Sequence, residues 1–260
     1  MNEILEKTYN NPVLRRTTVP TFFSNPGTGK SSVIREFAKN KGVNMVKITL
    51  SQRMPNEVVG MLMPDLKTGK MIAFNSLELS NLKPMDIIFF DECFNGTLAS
   101  TLYALLNFLE DRRFPNGDVC PDVAIFAASN PQGLIALSPQ VKERFIRYDL
   151  KFDESEYKSY LKYKYGIPEN ISTHLCKLIN KEKFELNEWN YMTGRSQEKA
   201  INQIGCDLES PYSDLLIPFL SQEIESPMDI TALSVTKGEK VKYIDILKYI
   251  IKTTNATENN

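Results

Sequence analysis

The sequence predicts an α/β fold in which helices flank a parallel sheet, followed by a smaller helical part. Three observations support this prediction. Residues 19–23 form an apolar, β-prone run that leads through a glycine-bearing loop into residues with helical spacing. Residues 87–90 and 123–128 are apolar runs without polar alternation, as in strands covered on both faces. Beyond residue 151 the strand signal fades and helical spacing takes over.

The chain opens with a short helical pattern in residues 1–16, which the turn signal Asn10-Asn11-Pro12 interrupts. We expect the pair Arg15-Arg16 to be solvated, although it could also face phosphate or a neighbouring subunit. The helix after the glycine-bearing loop should end at Lys41-Gly42, because glycine suits a left-handed cap. Residues 43–50 then predict a second strand.

Residues 51–83 predict a short helix near 56–60, followed by a hairpin with its turn at 65–70. Methionines are frequent on the two arms of this hairpin, and they suit either core packing or a surface that grips varied partners. We favour core packing. The apolar residues on the arms are Met61, Leu62, Met63, Met71, Ile72 and Phe74.

Helical spacing predicts a helix over residues 95–111, and Pro115-Asn116-Gly117-Asp118 predicts a hairpin turn. Residues 138–150 predict a short helix that turns into a final strand. Arg144 and Arg147 lie there, and either could be presented to phosphate or form an ordinary surface ion pair. Further helical segments are predicted at residues 154–165, 169–180, 196–208, 212–221 and 240–252.

Length and composition limit the classes of function. The 260 residues, 42% of them apolar, can form one large domain or two ordinary ones. We place a boundary near 151–155 and divide the chain into residues 1–152 and 153–260. The net charge of −1 gives no electrostatic case for a dedicated nucleic-acid binder, although the sequence leaves a local basic patch open. Because no signal peptide or long apolar run is present, we expect a soluble cytoplasmic protein that does not enter a membrane.

Thiol and imidazole chemistry find little support in the sequence. The four cysteines form no C-x-x-C pair, so neither a zinc site nor a redox motif is indicated. The single histidine, His174, lies in an amphipathic segment, where we expect it to be packed or solvated. A histidine-dependent triad or a multi-histidine metal site is thereby nearly excluded.

Residues 24–31, with the sequence Ser-Asn-Pro-Gly-Thr-Gly-Lys-Ser, can cradle a phosphate chain. Such a cradle needs inward backbone N–H groups, a mobile ammonium and a hydroxyl for a metal ion. Gly27 and Gly29 allow close backbone approach, Lys30 can reach the β- and γ-phosphates, and Ser31 can ligate Mg²⁺. The alternative is a plain glycine-rich turn. The candidate nucleotide contacts are Asn25, Pro26, Gly27, Thr28, Gly29, Lys30, Ser31 and Ser32.

Polar side chains also follow the two buried-looking apolar runs. Asp91 and Glu92 end the first run, and Asn130 follows the second. Ligands bind at the carboxyl ends of strands in open α/β sheets. Asp91 would then hold Mg²⁺, Glu92 would polarise the attacking water, and Asn130 would contact the γ-phosphate. The alternatives are a surface strand that ends in charge and a turn asparagine before Pro131.

Together these stretches resemble the AAA+ ATPases, specifically the MoxR-like and dynein-related branch. The resemblance covers about residues 15–208. It departs from the family pattern at Ser24, where the leading glycine is expected, and at Cys93-Phe94, where an apolar-Asn pair is commoner. The matching segments are residues 27–31 (Walker A), 91–92 (Walker B), 130 (sensor 1), 143–145 (arginine finger), 194–196 (sensor 2), 59–74 (helix-2 insert) and 112–123 (pre-sensor hairpin).

The resemblance implies a P-loop NTPase sheet followed by a small helical lid, assembled as a ring, usually of six. It implies ATP and Mg²⁺ as ligands, with Ser31 and Asp91 holding the metal. Members of this branch tend to be chaperone-like remodellers, often with a partner that bears a von Willebrand A domain. The compact size would also suit a phage-encoded ATPase. The implied catalytic residues are Glu92, Asn130, Arg144 and Arg195.

Two other functions remain open on the sequence. One is a nucleic-acid motor or loader of the replication or restriction type, for which GTP is a candidate nucleotide beside ATP. The other is a nucleotide-dependent scaffold that hydrolyses little. The near-neutral charge disfavours the motor, and the intact Asp91-Glu92 pair disfavours the scaffold.

Overall fold

The computed structural model describes residues 1–180, 185–187, 190–191, 193–205, 216–218, 220–221, 223–225 and 235–258. The chain divides into two compact units, Met1–Lys151 and Phe152–Asn260. Each unit has apolar core residues of its own. Within the described ranges, no helix is long and apolar enough to span a membrane.

A five-stranded parallel sheet forms the centre of the first unit. Its neighbouring strands are all paired in parallel. Alternate residues of the central run enter different cores, because Ile88 and Phe90 join one apolar cluster while Ile87 and Phe89 join another. The predicted α/β fold is therefore confirmed. In spatial order the strands are β2 (Met45–Thr49), β5 (Ile87–Asp91), β6 (Ala124–Ser129), β1 (Val19–Phe23) and β7 (Phe145–Asp149).

Helices cover both faces of this sheet. The first face is packed by residues of the N-terminal helix, such as Leu5, and of the helix after the glycine-bearing loop, such as Ile34. The opposite face is packed by residues such as Val58, Leu105 and Val141. The helices are α1 (Asn2–Asn10), α2 (Pro12–Thr17), α3 (Lys30–Lys41), α4 (Pro55–Val59), α5 (Ala99–Asp111) and α6 (Pro139–Arg144), with a 3-10 turn at Leu50–Gln52.

Helix α5 begins at Ala99, four residues later than the spacing predicts. The reason lies in two side chains before it. Asn95 donates to the backbone carbonyl of Asn130 at 3.2 Å, and Thr97 donates to the carbonyl of Glu92 at 2.9 Å. These bonds hold residues 95–98 along the sheet edge, so the helix starts only after them.

The predicted hairpin is present, but its core interpretation is wrong. Strands β3 (Gly60–Pro64) and β4 (Met71–Asn75) pair with each other as a separate two-stranded sheet. Leu62 is 60% exposed and Met71 is 59% exposed, because a lone two-stranded hairpin offers no packed layer to cover its side chains. Gly60 permits the close approach at its base, since an added Cβ there would lie 2.1 Å from the carbonyl oxygen of Phe74.

The prediction that Arg15 is solvated is wrong, because its side chain is only 7% exposed. It donates to the carbonyl of Tyr9 at 2.5 Å and forms an ion pair with Asp122 at 2.5 Å. Buried Arg112 donates to the carbonyls of Arg15 and Arg16 at 3.1 and 2.9 Å, and burial lowers the pKa of Arg112 to about 10. Carbonyls at a helix C-terminus lack partners within the helix and attract cations. Asp122 and Arg112 are distant from Arg15 in sequence, which explains why the local pattern indicated a solvated pair.

Helices dominate the described part of the second unit. Helices α7 (Glu154–Tyr165) and α8 (Glu169–Asn180) have the predicted bounds. The helix expected from residue 240 begins later, because Lys240–Lys242 pairs with Glu223–Glu225 in a hairpin with Glu223 opposite Lys242. Half of the helix predicted at 212–221, and the end of that at 196–208, lie outside the described residues. The remaining elements are β8 (Glu185–Asn187), β9 (Asn190–Tyr191), α9 (Gly194–Gly205), β10 (Glu223–Glu225), β11 (Lys240–Lys242) and α10 (Tyr243–Glu258).

The second unit has a core built from several of these helices. Leu161 of α7, Leu175 of α8, Ile201 of α9 and Leu247 of α10 belong to one apolar cluster. On the surface, Glu198 joins α9 to α7 because its carboxylate accepts from Lys164 at 2.5 Å and from the hydroxyls of Tyr160 and Tyr165. These contacts fix the first turns of α9 on α7.

The Arg15–Asp122 pair makes stability depend on pH. The hydrogen bond from Arg15 lowers the pKa of Asp122 below its ordinary value of 3.8. A lowered carboxyl pKa contributes stability that is present above the ordinary value and lost as the pH falls through the folded-state value. We expect Asp122→Asn to remove this part of the acid sensitivity and to destabilise the protein at pH 7 by about 1–2 kcal/mol.

Thermal unfolding followed by circular dichroism between pH 2 and pH 7 measures both effects. Asp111→Asn is the matched control, since it makes the same change of charge at an exposed position of α5. Equal stability and an equal acid response for wild type and Asp122→Asn would contradict the prediction.

Candidate functional site

The candidate site lies where β5, β6 and β1 end. These three strands are adjacent and parallel, so their carboxyl ends meet at one edge of the sheet. Residues after each strand carry polar groups: Ser24 follows β1, Glu92 follows β5 and Asn130 follows β6. The hydrogen bonds described below join the three chain segments to one another.

The phosphate loop, residues 24–31, passes from β1 into α3 through two left-handed glycines. Gly27 has φ +79° and Gly29 has φ +89°. No atom would lie within 4 Å of an added Cβ at Gly29, so backbone conformation rather than space favours glycine there. Helix α3 begins at Lys30, so its first N–H groups are available to an anion. Asn25, Pro26 and Thr28 are exposed on this loop.

Lys30 connects the phosphate loop to the end of β6. Its buried ammonium donates to the carbonyl of Ser24 at 2.7 Å, to the carbonyl of Asn25 at 3.3 Å and to Oδ1 of Asn130 at 3.2 Å. The ammonium thus lies among oxygen acceptors at the sheet edge. An anionic phosphate would be a stronger partner than these neutral oxygens.

Ser31 and Asp91 form the part of the site that suits a metal ion. Ser31 Oγ donates to Asp91 Oδ2 at 3.1 Å, and Lys47 Nζ lies 2.7 Å from the same carboxylate oxygen. Hydroxyl and carboxylate oxygens suit Mg²⁺, which takes few protein ligands and keeps water and phosphate oxygens. In the part of the chain that the structure describes, no group of three or more histidine, cysteine or acidic residues forms a metal cage. The donor set therefore fits Mg²⁺ held together with a phosphate ligand. Ser32, the next residue of α3, is exposed.

Glu92 occupies an unusual backbone conformation at the end of β5. Its φ is +51°, a left-handed value that is uncommon for residues other than glycine. Ser51, in the turn after β2, donates a hydrogen bond to the Glu92 carboxylate. Thr97 binds the Glu92 carbonyl. Left-handed backbone in non-glycine residues clusters at functional sites, where neighbouring contacts maintain it.

Asn95 clamps the end of β6 and fixes the position of Asn130. Its Oδ1 accepts from the backbone N–H of Asn130 at 2.7 Å and from the hydroxyl of Ser129 at 2.6 Å. Its Nδ2 donates to the carbonyls of Asn130 at 3.2 Å and Gln132 at 2.7 Å. One side chain thus bonds three backbone groups and one hydroxyl at the end of β6.

The sequence interpretation missed Lys47, Ser51 and Asn95. Lys47 had a detectable signal, because a lysine in the middle of an apolar strand next to the acidic strand end needs a partner. Asn95 follows Cys93-Phe94, where the sequence departs from the family pattern, and helical spacing placed it in the helix predicted over residues 95–111. Ser51 gave no signal, since a serine after a strand is ordinary.

Arg144 and Arg147, which the sequence singled out, pair with acidic side chains other than Asp91 and Glu92. Arg144, at the end of α6, forms ion pairs with Glu110 at 2.7 Å and Glu143 at 3.8 Å. The hydrogen bond to Glu110 raises the pKa of Arg144. Arg147, on β7, donates to the Asp149 carboxylate through both its Nε and its Nη2. Its guanidinium also lies 4.4 Å from the ring centre of Phe23.

Arg195 belongs to the second unit and is exposed in the first turn of α9. That turn is capped by paired bonds. Thr193 N–H donates to Ser196 Oγ at 2.7 Å, and Ser196 N–H donates to Thr193 Oγ1 at 3.2 Å. His174, on α8, has its Nδ1 2.8 Å from the carbonyl of Asn170.

Comparison with known proteins places this geometry in a class. A family model described as the MoxR domain in the MoxR-vWA-beta-propeller ternary systems matches residues 18–140. A Thermotoga maritima RuvB mutant has a TM-score of 0.54 at 16% identity, over 84% of this chain and 70% of that chain. The T. maritima RuvB Holliday junction branch migration motor has a TM-score of 0.53 at 16% identity, over 85% and 70%. A search of curated proteins finds none that matches.

Identities this low show the fold alone, and that fold is the AAA+ ATPase fold. The chain is thus similar to the AAA+ ATPases, with the glycine-bearing loop before α3 and the acidic end of β5 at the shared edge. The family-model match makes residues 18–140, just under half of the chain, similar to a MoxR domain. The matched residues 18–140 include all the strand ends that form the candidate site.

Removing the Asn95 side chain should loosen the end of β6, because its bonds to residues 129–132 are lost. Asn95→Ala leaves the Asn130 N–H and the Ser129 hydroxyl without their acceptor, which costs about 1–3 kcal/mol for a buried group. We expect a lower melting temperature and faster amide hydrogen exchange in residues 129–132. Asn95→Asp keeps the acceptor and loses the amide donor, so its effect should be intermediate.

Hydrogen-exchange mass spectrometry of the protein without nucleotide measures this directly. Asn116→Ala is the matched control, because Asn116 is an exposed asparagine in the hairpin turn after α5. Unchanged exchange at residues 129–132 in Asn95→Ala would show that other contacts hold the end of β6.

Proposed function

We propose that this protein binds ATP with Mg²⁺, hydrolyses it, and works as an oligomeric ring that remodels a protein partner. The observation that carries the proposal is the convergence of Lys30, Ser31, Asp91, Glu92 and Asn130 at one edge of the sheet. Similarity to a MoxR-domain family model supports nucleotide hydrolysis as the class of reaction.

The phosphate loop supplies the binding energy for the triphosphate in this proposal. The N–H groups at the start of α3 and around Gly27 and Gly29 donate to phosphate oxygens, and the positive end of the helix dipole favours the anion. Lys30 exchanges neutral acceptors for phosphate oxygens, which are stronger partners. Ser31 and Asp91 hold the metal ion. Their mutual bond of 3.1 Å indicates that the two oxygens already lie close together.

For hydrolysis, Mg²⁺-ATP supplies the reactive phosphoanhydride together with a metal charge that offsets developing negative charge. Glu92 is the candidate base, because its carboxylate lies at the same edge and is held in place by Ser51. Asn130 presents its side chain towards Lys30 and is fixed by Asn95, so it can orient the attacking water. A positioned general base contributes about 10²–10⁴-fold to rate.

A ring is supported by where the arginines lie. Arg144 is partly exposed on α6 and binds Glu110 and Glu143 rather than the phosphate loop. We propose that it completes the site of a neighbouring subunit, with Arg195 of the second unit as a further contact to nucleotide. A guanidinium delivered by a neighbour would couple hydrolysis to assembly.

The proposed partner is a protein with a von Willebrand A domain. The matching family model describes MoxR domains of ternary systems that contain such a domain. The net charge of −1 gives no support for a nucleic-acid partner. The likeness to RuvB shows the fold and carries no DNA substrate to this chain. Capture of partners by the Glu92→Gln variant in ATP is the direct way to identify the protein that is remodelled.

Two substitutions should separate binding from hydrolysis. Lys30→Ala should abolish ATP binding because the phosphates lose the ammonium of the loop, with exposed Lys39→Ala of the same helix as the control. Glu92→Gln should keep binding and lose about 10²–10⁴-fold in turnover, with exposed Glu36→Gln as the control. Titration of labelled ATP and phosphate release measure the two steps. Unchanged affinity in Lys30→Ala would reject the phosphate-loop assignment, and normal turnover in Glu92→Gln would reassign the base.

A mixing experiment should show whether subunits share the site. Arg144→Ala subunits keep their own Glu92, whereas Glu92→Gln subunits still present Arg144, so neither should turn over alone. Mixed assemblies create interfaces where both residues are intact. Because an arginine finger contributes about 10³–10⁵-fold to rate, even a few repaired sites should restore measurable phosphate release.

Arg147→Ala is the matched control, since Arg147 is held by Asp149 and by the Phe23 ring and should tolerate substitution with little loss of turnover. Light scattering verifies assembly and subunit exchange. Normal hydrolysis by assembled Arg144→Ala, or no recovery after verified exchange, would falsify the shared site. Loss of activity in Arg147→Ala alone would move the role to Arg147.

A further inference from the structure

Ser24 stands at the first position of the phosphate loop, where the family pattern has glycine. Its backbone lies outside the left-handed region, so serine is tolerated there without strain. Ser24 is buried, with 6% of its surface exposed, whereas its loop neighbours Asn25 and Thr28 are exposed. A buried hydroxyl needs partners, and this one lies between the two ends of the loop.

The partners of Ser24 form a directed chain of hydrogen bonds. Lys30 Nζ lies 3.0 Å from Ser24 Oγ, which lies 2.5 Å from Thr28 Oγ1. Thr28 Oγ1 donates to the carbonyl of Asn25 at 3.1 Å. Each hydroxyl has one proton to donate, so a single arrangement satisfies all three contacts. Lys30 donates to Ser24, Ser24 donates to Thr28, and Thr28 donates to Asn25.

This chain, the Ser24 relay, crosses the loop in a way that glycine cannot. It connects residue 24 to residue 28 and residue 30, and therefore spans both left-handed glycines of the loop. Glycine loses more conformational freedom on ordering than other residues, so holding Gly27 and Gly29 in place is costly. Hydrogen bonds in a chain polarise and strengthen one another, and the ammonium at its start adds charge assistance.

We propose that the Ser24 relay holds the phosphate loop in its binding shape before nucleotide arrives, so that Ser24 is a positioning residue for nucleotide affinity. The inference rests on the proposed function, because it concerns the same nucleotide site. An ordered loop loses less conformational entropy when its ligand binds, so affinity rises without a new contact. Replacing Ser24 by the glycine of the family pattern should therefore weaken binding.

The first test is an equilibrium titration of labelled ATP that measures the fraction of protein bound. Ser24→Ala should weaken affinity about threefold to tenfold, the effect expected for the loss of about one hydrogen bond. Ser24→Gly should weaken it at least as much, since glycine also frees the backbone. Ser24→Thr keeps the hydroxyl and should restore affinity to near the wild-type value. Ser100→Ala, an exposed serine on α5, is the matched control.

The second test separates a relay from a single contact. Thr28→Val should weaken affinity to a similar extent, and the double variant Ser24→Ala/Thr28→Val should be no weaker than Ser24→Ala alone. In the protein without nucleotide, amide hydrogen exchange over residues 24–30 should be faster in Ser24→Ala and normal in Ser24→Thr. Circular dichroism melting confirms that each variant is folded.

The outcomes distinguish this inference from the function on which it rests. A folded wild type that binds no nucleotide would overturn the proposed function and this inference together. A wild type that binds ATP while Ser24→Ala binds equally well or more tightly would overturn this inference alone. Additive losses in the double variant, or unchanged exchange in Ser24→Ala, would also overturn it.

Discussion

The parallel adjacency of β5, β6 and β1 is the constraint on which the rest of the structure depends. Parallel neighbours end at the same edge, so residues that are far apart in sequence meet there. The apolar runs that form β5 and β6 are buried on both faces, which fixes their place at the centre of the sheet. The polar groups can therefore be carried by residues just past each strand, where burial no longer demands apolar side chains. The stability of the core and the position of the site are thus two results of the same strand order.

Charge is balanced at this edge by short contacts between lysines and oxygens. Lys47 neutralises Asp91 at 2.7 Å, and the Lys30 ammonium lies among carbonyl and amide oxygens of the loop and of Asn130. Arriving phosphate brings negative charge to Lys30, while an arriving cation competes with Lys47 for Asp91. A divalent cation that enters with the triphosphate offsets part of its negative charge, whereas either one alone would bring its full charge to this edge. This argument favours binding of the metal and the nucleotide as one complex.

The sequence predicted what depends on local pattern and missed what depends on distant partners. Runs such as residues 87–90 predict buried strands because apolar continuity is itself the physical requirement for burial on two faces. Arg15 was expected in solvent because its charged partner, Asp122, is 107 residues away in sequence. Helix α5 was started too early because the bonds of Asn95 to the end of β6 override helical spacing. The exposure of the hairpin methionines depends on the absence of a covering layer, which spacing does not encode.

The two candidate arginines differ in how easily each side chain can give up its present contacts. Arg144 binds Glu110 and Glu143 through exposed ion pairs, which contribute little to stability and are weakened by salt. Exchanging Glu110 for a phosphate therefore costs the subunit little. Arg147 combines a forked contact to Asp149 with a ring contact to Phe23, and it lies on β7 in register with Thr21 of β1. Arg147 would therefore have to give up two contacts of its own before its guanidinium could reach a phosphate. Arg144 is thus the better candidate of the two for the shared site proposed above.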